Sequence, residues 1–203
     1  MKILFFIVLG YLCGSISFAY LFTYFLIGKD IRSIGTGNPG AANVSRSVGK
    51  KWGIIVWIAD TIKGILPMLI AKNYGITNFI LLTLIGSSAV MGHCYSIFLK
   101  FKGGKGAATT GGVILYLMPK IFPLVLILWF LAQKINPRSP KILIFCIVAF
   151  FIFLGILYKY NFIQLFSSTL ILMIVGAIVN KDVIKEIRNK KEIKDGNVEK
   201  ENI

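Results

Sequence analysis

The chain has 203 residues, of which 56% are hydrophobic and 13% aromatic, and its mean hydropathy is +0.78. A soluble domain of this length has no core large enough to bury so much apolar surface, and the composition also excludes disordered and collagen-like chains. The 23 Lys and Arg residues outnumber the 8 Asp and Glu residues, which gives a net charge of +15. The three cysteines lie far apart without a CxxC spacing, so neither a disulfide framework nor a zinc site is indicated.

The apolar runs predict an all-α integral membrane protein with seven transmembrane helices. A spanning helix needs about 20 mostly apolar residues. The first run, 3–27, is too long for a signal-peptide core and lacks a cleavage site, so it is predicted to span the membrane. Pro119 divides the run 107–133 into two short helices. The remaining predicted spans are 52–71, 79–92, 142–158 and 162–179.

The distribution of Lys and Arg predicts the orientation of these spans. Most of the cations fall on loops of one side, and the other side carries only Lys2, Lys72, Lys120 and Lys159. Cytoplasmic loops collect Lys and Arg, so we expect the N-terminus outside and the C-terminus in the cytoplasm. The predicted organisation is one membrane domain over 1–180, with cytoplasmic loops 29–51 and 92–110, and a basic tail over 181–203. Because the charge is spread over loops between bilayer crossings, nucleic acid is not an expected partner, whereas membrane lipids are.

The two cytoplasmic loops have the composition of phosphate-binding segments. Both combine glycines, small hydroxyl or amide residues and cations. Glycine allows backbone N–H groups to converge on an anion, and a helix that starts at Gly106 would add its positive dipole end. Lys102 and Lys105 flank Gly103 and Gly104, and the guanidinium of Arg46 is suited to grip phosphate oxygens.

Other patterns favour structural interpretations. The spacing Gly35-x-Gly37-x-x-Gly40 matches a dinucleotide fingerprint, but no strand precedes it. His93 has no partners at metal-ligand spacing, so no metal site is expected. Asp60 and Lys63 lie three residues apart within an apolar span, which favours an ion pair that locks helix packing over a substrate contact.

Two segments resemble the motifs of a known enzyme family. The first is Gly35-Thr-Gly-Asn-Pro-Gly-Ala-Ala-Asn-Val-Ser-Arg46, followed by Gly49-Lys-Lys51, and the second is Gly92-His93 with Phe101-Lys-Gly-Gly-Lys-Gly-Ala-Ala-Thr109. Together they resemble the first and second motifs of the bacterial acyl-phosphate-dependent glycerol-3-phosphate acyltransferases, the PlsY family. The resemblance runs over about residues 10–180.

The resemblance implies a seven-helix enzyme of the bacterial inner membrane with its active site facing the cytoplasm. Its expected partners are glycerol 3-phosphate and acyl phosphate, and its expected products are lysophosphatidic acid and phosphate, with no cofactor and no metal. The resemblance implies catalytic roles for Thr36, Arg46 and Lys105. The implied substrate-binding residues are Asn38, Asn43, His93, Lys102, Gly103, Gly104, Gly106 and Ser139.

The sequence also departs from the family pattern. Thr36 replaces the usual serine, and residues 180–185 contain no histidine where the family carries an Arg-His pair, so the catalytic positions of that third motif are not transferred. Two alternatives therefore stay open at this point. One is a transporter or flippase of a phosphorylated small molecule or lipid, indicated by the intramembrane Asp60 and Lys63, and the other is an inactive paralogue that scaffolds lipid enzymes.

Overall fold

A computed structural model describes residues 1–120 and 161–179, together with 122, 123, 126 and 127. Within these residues the regular structure is helical throughout. Short 3₁₀ turns at Ile31–Ser33 and Ile97–Leu99 lie in the two polar loops. The α-helices are α1 (Lys2–Ser15), α2 (Phe18–Ile27), α3 (Ala41–Ser47), α4 (Lys50–Asn73), α5 (Phe79–Cys94), α6 (Ala107–Leu117) and α7 (Phe162–Val179).

Three segments of the described chain are long and apolar enough to cross a membrane. They are Lys2–Ile27, Lys50–Asn73 and Phe79–Leu99, with mean hydropathies of 2.0, 1.8 and 1.5. They coincide with the first three predicted spans. The predicted span at 142–158 lies outside the described residues, as does most of the span that would follow Pro119.

The predicted end of a helix at Pro119 is present, whereas most of the helix predicted to follow it lies outside the described residues. Helix α6 ends at Leu117, and Pro119 and Lys120 form a turn. Proline has no backbone N–H and cannot continue the helical ladder, so the chain turns here. Helix α7 begins and ends at the residues that were predicted for the last span.

The expectation of one continuous helix over 3–27 is wrong in detail. The chain leaves helical geometry at Ile16, which is extended, and Ser17 caps a new helix by accepting a hydrogen bond from the N–H of Tyr20 at 3.3 Å. The interruption is stabilised from outside the segment: the Ser96 hydroxyl donates to the Ser15 carbonyl at 2.6 Å and Lys63 Nζ donates to the Ile16 carbonyl at 2.7 Å. Carbonyls that a helix break would leave unpaired in an apolar layer are thereby satisfied.

Small residues set the distances between the spanning helices. A Cβ atom on Gly14 of α1 would clash with the backbone of Ala89 on α5, and one on Gly92 of α5 would clash with the backbone of Tyr11 on α1. Helices α4 and α6 approach in the same way at Gly112, which lies against the backbone of Thr61. Helices in lipid gain no hydrophobic free energy by associating, so close van der Waals packing at small residues is needed to hold them together. Gly14 therefore allows α1 and α5 to pack closely.

Two buried clusters position the polar loops. The larger one fills the space between α1, α4, α5 and α6, with Met68, Ile85 and Val113 fully buried. The smaller one contains Ile31 and Val44, which belong to the first polar loop and α3 and pack against α2 and α4. The first loop is therefore anchored to the helices by its own apolar side chains.

Candidate functional site

The first polar loop is organised around the side chain of Asn43. This amide is 1% exposed, and its oxygen accepts from the N–H of Thr36 at 2.9 Å and from the Ser47 hydroxyl at 3.3 Å. Its nitrogen donates to the carbonyls of Ile31 and Ile34 at 3.2 and 2.9 Å. Both ends of the amide are thus used inside the loop. Asn43 therefore supports the loop from beneath.

Two glycines give the same loop its course. Gly35 and Gly37 have φ angles of +57° and +69°, in the left-handed region that residues with a Cβ seldom occupy. A Cβ atom on Gly35 would also clash with the side chains of Asn43 and Ser47. The loop therefore turns over Asn43 and leaves Thr36 exposed on its outer surface.

The second polar loop folds back onto the end of α5. Gly103 donates its N–H to the Cys94 carbonyl at 3.0 Å, and Gly104 donates to the His93 carbonyl at 3.0 Å. A Cβ atom on Gly103 would clash with these two carbonyls, and one on Gly104 would clash with the His93 ring. The N–H groups of Gly103 and Gly104 thus pair with the last carbonyls of α5 and help to end that helix.

Gly106 lies at the start of α6, as predicted. Its φ is +77°, and α6 runs from Ala107 without a side-chain cap from the described part of the chain. The first N–H groups of a helix have no partner within the helix and carry its positive dipole end. Lys105 is exposed immediately before this helix start. A cation and the free start of a helix therefore lie next to each other at Lys105 and Gly106.

The two loops meet around a shared cavity. Its volume is about 650 Å³. The cationic side chains at its wall are Arg32, Lys100 and Lys102, and the acidic side chain there is Asp30. The remaining residues that line it are Ser33, Thr36, Gly37, Asn38, Pro39 and Gly103. Because Asp30 pairs with Arg32, Lys100 and Lys102 supply the net positive charge, and together with the small polar groups they suit an anionic, hydroxyl-bearing ligand.

The predicted site residues divide into three groups by position. Thr36, Asn38, Lys102 and Gly103 line the cavity. The exposed side chains of Arg46, on α3, and Lys105, before α6, lie outside its lining. Buried beneath the loops are Asn43, His93, Gly104 and Gly106. Ser139 lies outside the described residues, as do residues 180–185.

A buried ionic cluster lies beneath the second loop. The Lys63 ammonium is 2.8 Å from Asp60 Oδ1, and Nδ1 of His93 is 3.7 Å from the same oxygen. The Lys63 and Asp60 side chains are 5% and 2% exposed. The predicted intramembrane ion pair is confirmed, and the hydrogen bond from Lys63 to the Ile16 carbonyl shows that it also closes the break between α1 and α2. His93 connects this cluster to Gly104, whose backbone lies against its ring.

Sequence reasoning missed the roles of Asp30 and Arg32. Three nitrogens of Arg32, namely its backbone N, Nε and one terminal nitrogen, donate to the Asp30 carboxylate at distances between 2.7 and 3.1 Å. These hydrogen bonds hold the pKa of the Asp30 carboxyl below its usual range and raise the pKa of Arg32. The available signal was an Asp two residues before an Arg at the entry to a turn.

Comparison with known proteins identifies the family. The family model for glycerol-3-phosphate acyltransferase matches residues 4–191. The chain belongs to the glycerol-3-phosphate acyltransferase family. Among curated relatives, the glycerol-3-phosphate acyltransferase of Aquifex aeolicus is 44% identical over 130 residues, which are 64% of this chain and 67% of the relative. The enzyme of the same name from Myxococcus xanthus is 46% identical over 114 residues, which are 56% of this chain and 59% of the relative.

Solved structures of the family share the fold. The crystal structure of PlsY, an integral membrane glycerol 3-phosphate acyltransferase, in its glycerol 3-phosphate form is similar with a TM-score of 0.72 and 32% identity. That match covers 97% of this chain and 94% of the other. The lysophosphatidic acid form gives a TM-score of 0.72 at 30% identity. The present chain is therefore a helical integral membrane protein of the same fold.

Proposed function

We propose that this chain transfers a fatty acyl group from acyl phosphate to the 1-hydroxyl of glycerol 3-phosphate, giving lysophosphatidic acid and phosphate. Family membership supports the reaction class. The observation that carries the proposal at the level of residues is the cavity between the two polar loops, whose wall includes Lys100 and Lys102. Both substrates carry phosphate, so they require such a site.

The reaction needs little from the protein beyond positioning and charge neutralisation. Acyl phosphate is an activated mixed anhydride. The 1-hydroxyl oxygen of glycerol 3-phosphate forms a bond to the acyl carbon, the bond from that carbon to the phosphate oxygen breaks, and the departing phosphate takes up the hydroxyl proton. Cations around the phosphates stabilise the charge that develops on the leaving group, and the loop walls hold the hydroxyl near the acyl carbon.

We assign the site residues by their positions. Thr36, Asn38 and Lys102 contact glycerol 3-phosphate from the cavity wall that they line. Arg46, exposed in the last turn of α3, and Lys105, exposed just before α6, neutralise the phosphate of the donor. Gly106 presents the free N–H groups of α6 to an anion. His93, Gly103 and Gly104 hold the second loop on α5, and Ser139 is a proposed further substrate contact.

The membrane arrangement is part of the same proposal. The domain over 1–180 has seven spans, with the N-terminus outside and the tail over 181–203 in the cytoplasm of a bacterial cell. The active site then faces the cytoplasm at the inner membrane, where soluble glycerol 3-phosphate reaches it and the acyl chain of the donor stays in the bilayer. The positive-inside distribution of Lys and Arg supports this orientation.

Purified protein in lipid nanodiscs tests the activity directly. With acyl phosphate and labelled glycerol 3-phosphate, the wild-type chain is expected to release phosphate and form lysophosphatidic acid. Arg46→Ala and Lys105→Ala are each expected to lower kcat/KM by at least about 100-fold, because a charge-assisted contact to the transition state is lost. Lys72→Ala, at the opposite end of α4, is the matched control and keeps wild-type activity. Absence of product from folded wild-type protein would refute the proposal.

A further inference from the structure

Arg32 connects the two polar loops. Its Nε and one terminal nitrogen donate to the Asp30 carboxylate, and its other terminal nitrogen donates to the Leu99 carbonyl at 3.0 Å. Asp30 and Arg32 belong to the first loop, whereas Leu99 ends the 3₁₀ turn of the second. The guanidinium carbon also lies 5.8 Å from the centre of the Tyr20 ring. The planar fork of arginine is therefore engaged on both sides of the cavity at once.

The segment that Arg32 holds has an unfavourable backbone conformation. Lys100 and Phe101 have φ angles of +54° and +60°. Residues other than glycine seldom adopt such angles, and two in succession require support from neighbouring groups. Part of that support comes from within the loop, because Phe101 donates its N–H to the Ser96 carbonyl at 2.8 Å and Lys102 donates to the Leu99 carbonyl at 3.2 Å. Arg32 supplies a further contact, from the opposite loop.

This conformation decides where two cations lie. Lys100 and Lys102 are the residues on either side of Phe101, and both line the cavity, whereas Phe101 is exposed. If Arg32 no longer held the Leu99 carbonyl, the backbone of Lys100 and Phe101 would relax towards more favourable angles. The two ammonium groups would then leave their present positions at the cavity wall.

We propose that Arg32, oriented by Asp30, is a positioning residue that sets the places of Lys100 and Lys102 at the cavity and so determines the affinity for glycerol 3-phosphate. The inference rests on the proposed acyltransferase function. In this proposal Arg32 does not contact the substrate itself, because Asp30 already occupies one edge of its guanidinium group and the Leu99 carbonyl occupies another.

Three variants separate positioning from a direct contact. Arg32→Lys keeps the charge but cannot engage Asp30 and the Leu99 carbonyl together. Asp30→Asn weakens the orientation of Arg32. We expect each substitution to raise the KM for glycerol 3-phosphate about tenfold, with kcat within about threefold of wild type. The reason is that the loss of a partly exposed charge-assisted hydrogen bond lets Lys100 and Lys102 leave the cavity wall. If Arg32 instead bound substrate directly, Asp30→Asn would free the guanidinium and lower KM. Lys29→Gln, which removes an exposed cation next to Asp30, is the control and leaves KM unchanged.

A double-mutant cycle tests whether Arg32 acts through Lys100. Asparagine tolerates left-handed backbone angles, so Lys100→Asn removes the cation while keeping the course of the loop. We expect Arg32→Lys to raise KM by at most about threefold in the Lys100→Asn background, compared with about tenfold alone. Independent, multiplicative effects would overturn the proposal, as would wild-type KM values in both Arg32→Lys and Asp30→Asn. If Arg32→Lys is too unstable to assay, the same cycle is measured with Asp30→Asn in its place.

Wild-type protein that forms no lysophosphatidic acid would refute the proposed function itself, and the positioning role with it.

Discussion

The two asparagines of the first loop are chemically identical but have different surroundings. Asn43 is buried with both ends of its amide paired inside the loop, whereas Asn38 lines the cavity. The sequence alone gave both the same substrate-binding role. Burial and hydrogen bonding distinguish them: a saturated, buried amide stabilises the fold, and a half-exposed amide at a cavity wall is available to a ligand.

Substitution of each asparagine by alanine is expected to separate these roles. Asn43→Ala leaves the carbonyls of Ile31 and Ile34 and the N–H of Thr36 without their partner, so we expect a loss of about 1–3 kcal/mol in the free energy of unfolding and a loss of activity. Asn38→Ala is expected to raise the KM for glycerol 3-phosphate several-fold at unchanged stability. Thermal unfolding in detergent and steady-state kinetics measure the two effects. An Asn43→Ala variant as stable as wild type would contradict the assigned role.

How far the site was predictable depends on the type of signal. The motifs identified the two loops, and the Lys and Arg distribution placed them on one side, which is enough to expect that they meet. The sequence did not reveal that Gly103 and Gly104 end α5, because the same glycines suit both an anion site and a tight turn. Nor did it reveal the contact from Arg32 to Leu99, which joins residues 67 positions apart.

At the scale of elements, the break between α1 and α2 shows why hydropathy gives the span but not its internal geometry. The local sequence Gly14-Ser15-Ile16-Ser17 contains a residue type typical of helix N-caps, but hydropathy averaged over the whole apolar run does not show this interruption. The partners that permit the break, Lys63 and Ser96, lie on other elements. By contrast, the bounds of α7 were predicted correctly from the apolar composition of its own segment, which follows the polar Tyr-Asn sequence.

The buried pair of Asp60 and Lys63 is expected to be essential for this arrangement of elements. Lys63→Met leaves the Asp60 carboxylate and the Ile16 carbonyl unpaired in an apolar layer, so we expect destabilisation of about 3–5 kcal/mol. The double variant Asp60→Asn, Lys63→Met removes the uncompensated charge and is expected to recover part of that loss. Thermal unfolding midpoints of the three proteins in one detergent provide the comparison. Equal midpoints for wild type and Lys63→Met would show that the pair does not support the break.

At the scale of the whole molecule, the meeting of the two loops constrains the topology. The loops share one cavity, so they lie on the same side of the membrane. Two spanning segments, Lys50–Asn73 and Phe79–Leu99, separate them, and an even number of crossings returns the chain to the side from which it started. The prediction from charge and the contact between the loops therefore agree on their relative placement, although they rest on different physics.

The absolute orientation is the last expectation, and it follows from the charge asymmetry. Introduced in a cysteine-free background, single cysteines at Lys72 and Thr77 are expected to react with a membrane-impermeant maleimide in intact cells. Cysteines at Lys29 and Lys100 are expected to react only after the membrane is opened, because cation-rich loops remain in the cytoplasm. The opposite labelling pattern would place the cavity outside the cell. The site would then have no access to cytoplasmic glycerol 3-phosphate, and the proposed direction of substrate supply would be wrong even if the purified protein were active.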